Sequence, residues 1–313
     1  MTTYNMTSYG RVPFLLIGFP GLEAAHVWMA FPLGLMYIIA LLGNGAILYV
    51  IMTDRSLHEP MYLFLSMLAA IDILISTSTM PKVLTLLCFD IEEISFNGCL
   101  VQMFLIHSLS AMESTVLLAM AFDRYIAICN PLRHSSILTN RRISCIALVS
   151  VVRGSVFFSP IPFLIQRLPF CNKRLLSHSF CLHQDVMKLA CADTMPNIVY
   201  GLSAILVVMG VDVVLITLSY VMILRTVCRL SRKESLRALN TCMSHISAVL
   251  VFYIPLIGLS VVHRFERHSS PIIFIVMGDI YLFVPPVVNP LVYGLKTNMI
   301  RRSIVGLFQR RPS

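Results

Sequence analysis

Apolar residues in this chain gather into seven long runs, roughly 27–52, 61–86, 99–122, 143–166, 197–224, 238–263 and 272–295, each close to the ~20 residues a helix needs to cross a bilayer. Polar and charged residues collect between the runs. The pattern predicts an all-α membrane protein, a bundle of seven transmembrane helices spanning 27–295. It leaves an extracellular N-terminus at 1–26 and a cytoplasmic end at 296–313. Within that end, Thr297–Gln309 reads as a short amphipathic helix on the inner leaflet, with Ile300, Ile304, Leu307 and Phe308 on one face and Arg301 and Arg302 off it. Pro81, Pro160, Pro162, Pro255, Pro285, Pro286 and Pro290 fall inside or near the ends of the runs. Neighbouring helices and waters in a membrane bundle can satisfy the backbone groups that proline frees, so those in the sixth and seventh runs are expected bending points.

Composition agrees with the pattern. Of the 313 residues, 57% are hydrophobic and only 12% charged, against about half and about a quarter in soluble domains. The net charge of +9 would permit nucleic-acid binding if the cations formed one patch. They do not. Arg133, Arg141, Arg142, Arg225, Arg229, Arg232, Lys233, Arg237, Lys296, Arg301, Arg302, Arg310 and Arg311 flank alternate connections, which places those connections in the cytoplasm. Asp90, Glu92, Glu93, Asp185, Asp193 and Glu266 mark the opposite side. Residues 1–26 lack the pattern of a cleavable signal peptide, so the first run is expected to direct insertion. Asn5-Met6-Thr7 is a glycosylation acceptor usable with the N-terminus outside.

Three acids, Asp72, Glu113 and Asp212, lie within the apolar runs. A charge near the bilayer centre costs at least ~2.5–3.5 kcal/mol, which makes such residues functional candidates. Of the nine cysteines, Cys99, Cys171, Cys181 and Cys191 fall on the outer, oxidising side, where disulfides persist. Their spacing leaves three pairings open. No H-E-x-x-H or G-x-S-x-G arrangement is present, so no catalytic residues are assigned and an enzyme is not expected. A secondary transporter would also carry buried acids, although the chain has no internal repeat of the kind transporters use.

One stretch decides between these classes: Met120-Ala121-Phe122-Asp123-Arg124-Tyr125-Ile126-Ala127-Ile128-Cys129-Asn130-Pro131-Leu132 at the foot of the third run. By itself, Arg124 could be a snorkelling boundary arginine. The whole stretch resembles the olfactory receptor branch of the rhodopsin-like G-protein-coupled receptors. Pro60-Met61-Tyr62-Leu63-Phe64-Leu65, Leu239-Asn240-Thr241-Cys242 and Phe252-Tyr253-Ile254-Pro255 are similar to motifs of the same family. Phe19-Pro20-Gly21-Leu22-Glu23 and Ser260-Val261-Val262-His263-Arg264-Phe265 resemble its class I, fish-like branch, family 51 in particular.

The resemblance implies a receptor in the plasma membrane that binds a small odorant and couples to a stimulatory, olfactory-type G protein, raising cyclic AMP. Asp123, Arg124, Tyr125 and Arg237 would meet that partner. It implies bridges Cys99–Cys181 and Cys171–Cys191. It also implies a polar core of Asn44, Asp72, Glu113, Asn289 and Tyr293, in which Asp72 and Glu113 hold a sodium ion in the inactive state; no other cofactor is expected. Several receptors of the branch recognise carboxylic acids, and the residues fit one. Arg264 and Ser260 are four apart on one helical face, and the guanidinium fork matches a carboxylate. His107 and Gln184 would add polar contacts at the top of a pocket walled by Met103, Ala111, Leu202, Ile205, Leu256 and Ile257. The alternatives are a rhodopsin-like receptor for a different small ligand, or a secondary transporter.

Overall fold

A computed structural model describes residues 12–19, 25–171, 173–265, 271–296 and 299–303, with the side chains at 237, 260–265, 271–274 and 295–296 left out. Seven helices among these residues are long and apolar enough to cross a membrane. They are α1 (His26–Thr53), α2 (Pro60–Phe89), α3 (Phe96–Cys129), α4 (Asn140–Gln166), α5 (Met195–Val227), α6 (Arg232–Phe265) and α7 (Pro271–Lys296). Each extends past its apolar run, because a helix goes on satisfying its own backbone after it leaves the lipid. So α3 carries Asp123, Arg124 and Tyr125 inside its last turns rather than beyond its end.

Outward faces are apolar, as lipid requires: Trp28, Phe31, Leu35, Ile38 and Leu42 on α1 are all exposed. The inward faces meet around α3, where Met103, Ile106, Leu117, Met120 and Ala121 are buried. The α1–α7 contact shows how membrane helices tolerate proline. Pro290 has no N–H to give to the carbonyl of Pro286 four residues earlier. Asn44 Nδ2 donates to that carbonyl at 2.8 Å, and to Ala40 O at 2.9 Å. Gly43 makes the approach possible, since a Cβ there would lie 2.9 Å from the Pro290 ring. Helix α5 is interrupted by a π-helical turn at Leu206–Gly210, a distortion common at functional sites.

Outside the bundle, three short strands form a sheet over the extracellular end. β1 (Phe14–Leu16) runs between β2 (Glu93–Ile94), antiparallel, and β3 (Leu175–Leu176), parallel. Phe14 of β1, Phe96 and Phe170 form an aromatic cluster with centroids 5.5–5.9 Å apart, Phe170 meeting both of the others edge to face. Disulfides join Cys99 to Cys181 and Cys171 to Cys191. At the inner end, residues 299–303 are helical, Ile300 is fully buried, and Ser303 Oγ donates to Asp54 at 3.2 Å. The rest of the expected amphipathic helix, and Asn5, lie outside the described residues.

Candidate functional site

A cavity of about 540 Å³ opens in the outer half of the bundle between α3, α4, α5, α6 and the α4–α5 loop. The Cys99–Cys181 bridge sets its roof. Gln102, one turn below Cys99, accepts from the Cys181 amide at 2.9 Å and donates to Ser78 O of α2 at 3.0 Å. The chain then turns into a short helix, His183–Met187, of which His183, Asp185, Val186 and Met187 are buried. Asp185 anchors this lid: it accepts from the Ser177 amide at 2.6 Å and pairs with His178 Nδ1 at 3.3 Å. Burial alone would raise the Asp185 carboxyl, but the His178 bond and charge, the Lys188 charge and the Ser177 amide outweigh it and hold it below the usual range.

Of the expected ligand residues, the cavity brings together His107, Gln184, Leu202, Ile205, Leu256 and Ile257. Met103 and Ala111 are fully buried but do not line it. Steps of four residues drift about 40° around a helix of 3.6 residues per turn; His107 faces the cavity, while the residues four before and four after it turn into helix contacts. Ser260 and Arg264 belong to α6, but their side chains lie outside the described residues, as does that of Arg237. Helical register alone puts positions 260 and 264 in line with Leu256, one and two turns nearer the outer surface.

The cavity also contains residues the sequence did not single out. Phe158 of α4 stacks on His107 with centroids 5.8 Å apart. His183 of the lid lines the wall at right angles to His107, 6.5 Å away. Gly201 allows this: a Cβ there would lie 2.9 Å from the His183 ring. His107 Nε2 and His183 Nε2 are both buried without a hydrogen-bond partner. Burial pushes the His183 imidazole down to about 4, so it enters the site neutral and presents one ring N–H and one acceptor nitrogen. Two unpartnered imidazole nitrogens above an aliphatic cavity make a site for a small molecule with a polar head and an apolar body.

Directly beneath, polar side chains from four helices interlock. Ser114 Oγ of α3 donates to Asp212 Oδ2 at 2.6 Å and lies 2.7 Å from the hydroxyl of Tyr253, which lines the cavity from α6. Arg153 of α4 bonds both Asp212 oxygens at 2.9 Å, Thr115 Oγ1 at 3.0 Å and the carbonyl of Val208 inside the π turn. The sequence showed Asp212 as a buried acid; Arg153, also inside an apolar run, was its missed partner. Their pairing removes Asp212 from the unpaired acids that would suit proton-coupled transport.

Deeper, Asn289 Nδ2 of α7 donates to Asp72 Oδ2 of α2 at 3.1 Å. Glu113 Oε1, Asn289 Oδ1 and Tyr293 OH are buried without hydrogen-bond partners. At the inner face, Asp123 is fully buried and accepts from Arg124 Nε at 2.9 Å, while its other oxygen meets His134 Nε2 at 2.8 Å. His245 of α6 contacts the Tyr220 hydroxyl and lies 3.0 Å from Leu117 O of α3.

The chain is similar to known proteins. Residues 33–311 match the family model described as olfactory receptor. The chain is 60% identical to human olfactory receptor 51E2, over 99% of this chain and 96% of that one, and 56% identical to human olfactory receptor 51E1, over 94% and 93%. Squid rhodopsin shares the fold, with a TM-score of 0.76 at 17% identity over 94% of this chain and 90% of that one. The chain thus belongs to the olfactory receptor family: a multi-pass plasma-membrane G-protein-coupled receptor for odorants, and not an enzyme.

Proposed function

We propose that this receptor recognises small carboxylic acids and signals through a stimulatory G protein to cyclic AMP. The observation that carries the ligand class is the polarity of the cavity. His107, His183, Gln184, Lys188 and Thr194 supply polar groups toward the lid, the Tyr253 hydroxyl lies at the floor, and aliphatic side chains such as Leu202, Ile205, Leu256 and Ile257 form the wall between. Positions 260 and 264 follow Leu256 at four-residue steps in α6, and Arg264 would supply the cation a carboxylate needs. Each buried methylene of the tail contributes ~0.8 kcal/mol until the cavity is full.

Binding would act on α6 through Tyr253, whose ring touches the cavity and whose hydroxyl bonds Ser114. A ligand that prefers one position of α6 shifts the receptor toward it. At the inner end, movement of α6 away from α3 would break the His245 contact with Leu117 and free Arg124 for the partner. Asp72, Glu113 and Asn289 fit a hard monovalent cation: two buried carboxylates need a counter-charge, and Glu113 Oε1 and Asn289 Oδ1 have no other partner. Sodium there would stabilise the resting state.

The test is cyclic AMP in cells expressing the receptor, against straight-chain acids of increasing length and the matched alcohols, with Arg264→Ala alongside at equal surface expression. Acid-selective responses lost in the variant support the reading. Equal responses to alcohols, or a variant that responds normally, overturn the arginine anchor.

A further inference from the structure

The cavity is covered above by a lid that is largely buried, and its α5–α6 side is lined by apolar residues that are exposed on the outside of the bundle. Above it, Phe180, Cys181, Leu182, His183, Val186 and Met187 are all buried, and the lid they form is tied to α3 by the disulfide. The side wall is different. Leu206 and Ile198 of α5 and Ile257 of α6 line the cavity, yet they are 58%, 42% and 52% exposed. These residues face the cavity and the bilayer at once. Leu206 lies eleven residues, about 16 Å, below the start of α5, and Ile257 lies eight residues, about 12 Å, below the outer end of α6. The two lips of the gap therefore stand at similar depth within the outer leaflet. Lys188, which follows the short lid helix, also lines the cavity and is exposed.

We infer that the gap between the outer halves of α5 and α6 is a lateral doorway, through which amphiphilic ligands pass between the outer leaflet and the cavity. The chemistry fits one class of traveller. An odorant acid partitioned into the membrane holds its head at the interface and its tail in the hydrocarbon; the doorway offers the tail Leu206 and Ile257, and Lys188 lines the cavity for the head. The π-helical turn widens α5 at the doorway's lower lip, since it begins at Leu206. Entry through lipid also explains how a roofed cavity can be loaded without unfolding a disulfide-held lid. The inference rests on reading this cavity as the odorant site.

Its test does not depend on any odorant. Met209 lines the cavity and is buried. In a Cys88→Ser background, which removes the exposed thiol near the outer end of α2, Met209→Cys reports access to the cavity. Surface receptors would be treated with an uncharged, membrane-partitioning maleimide or a charged, impermeant thiosulfonate, and labelling counted above the Cys88→Ser parent. The expected result is labelling by the lipid-borne reagent at least tenfold faster, slowed at least threefold by Ile257→Trp and, from the opposite lip, by Leu206→Trp. Labelling by the charged reagent at an equal rate, no slowing by either tryptophan, or no labelling at all would overturn the doorway. Silence toward every acid with the expected labelling pattern would instead overturn the ligand class and leave the doorway standing.

Discussion

The Tyr253 hydroxyl lies 2.7 Å from Ser114 Oγ, and the same Ser114 hydroxyl is 2.6 Å from Asp212. A serine has one proton to give, and the carboxylate takes it. Tyr253 is therefore the donor to Ser114, and the bond that ties α6 to α3 has a fixed direction. Tyr253→Phe removes that proton with little change of shape. We expect agonist potency to fall at least threefold and the maximal cyclic AMP response to drop, at normal surface expression. An unchanged concentration–response curve would show that α6 is not driven through this bond.

Arg153 and Asp212 can be separated from that signalling role by a double-mutant cycle. Breaking a buried pair strands a charge and costs about 3–5 kcal/mol, whereas replacing both partners by apolar residues is often near neutral. Arg153→Met alone and Asp212→Leu alone should each reduce surface expression severely. The double variant should recover a substantial part of it. Additive losses would mean that the two residues act independently.

The lid should weaken in acid. An unfolded histidine titrates near 6.5, while burial holds His183 at about 4. Between these values the unfolded chain binds the proton and the folded lid does not, so stability falls as pH drops through this window, by up to about 3 kcal/mol. Asp185 is held below its ordinary value, so its contribution persists through the same window and is lost only at lower pH. Thermal unfolding of purified receptor at pH 7.5 and 5.0 should show the loss, and His183→Gln should reduce the difference between the two. An equal difference in parent and variant would exclude His183 as its source.

How much of this was legible beforehand depended on the range of each interaction. The spans could be read because lipid imposes a length and an apolarity on every crossing. Asp72, Glu113 and Asp212 were visible as acids that lipid does not tolerate without partners, whereas Asn44 and Asn289 stood out only through the family resemblance. Partner choice was not visible: nothing local to Arg153 identifies an acid 59 positions away. The sheet was missed because strands of two or three residues carry no alternating pattern. Met103 and Ala111 were expected in the wall, but they lie four residues either side of His107, and the drift of an α-helix turns them into helix contacts.

Phe158 stacks on His107 and closes the α4 side of the cavity. Replacing it with leucine adds room without adding polarity. The preferred acid should lengthen by roughly one to two methylenes, each worth ~0.8 kcal/mol when buried. Potencies across the acid series would show the shift, and an unmoved optimum would place the tail elsewhere.

The bond from Asn44 to the Pro286 carbonyl joins residues 242 positions apart, and it has a consequence for biosynthesis. The first helix enters the membrane with an amide that only the last helix can complete. Until residue 286 has been made and inserted, Asn44 keeps only its bond within α1, and a chain stalled before that point carries a half-satisfied polar group in its first span. The same bond that closes the mature bundle thus distinguishes an unfinished chain by an unsatisfied amide proton in lipid, and Asn44→Leu would remove that distinction along with the closure.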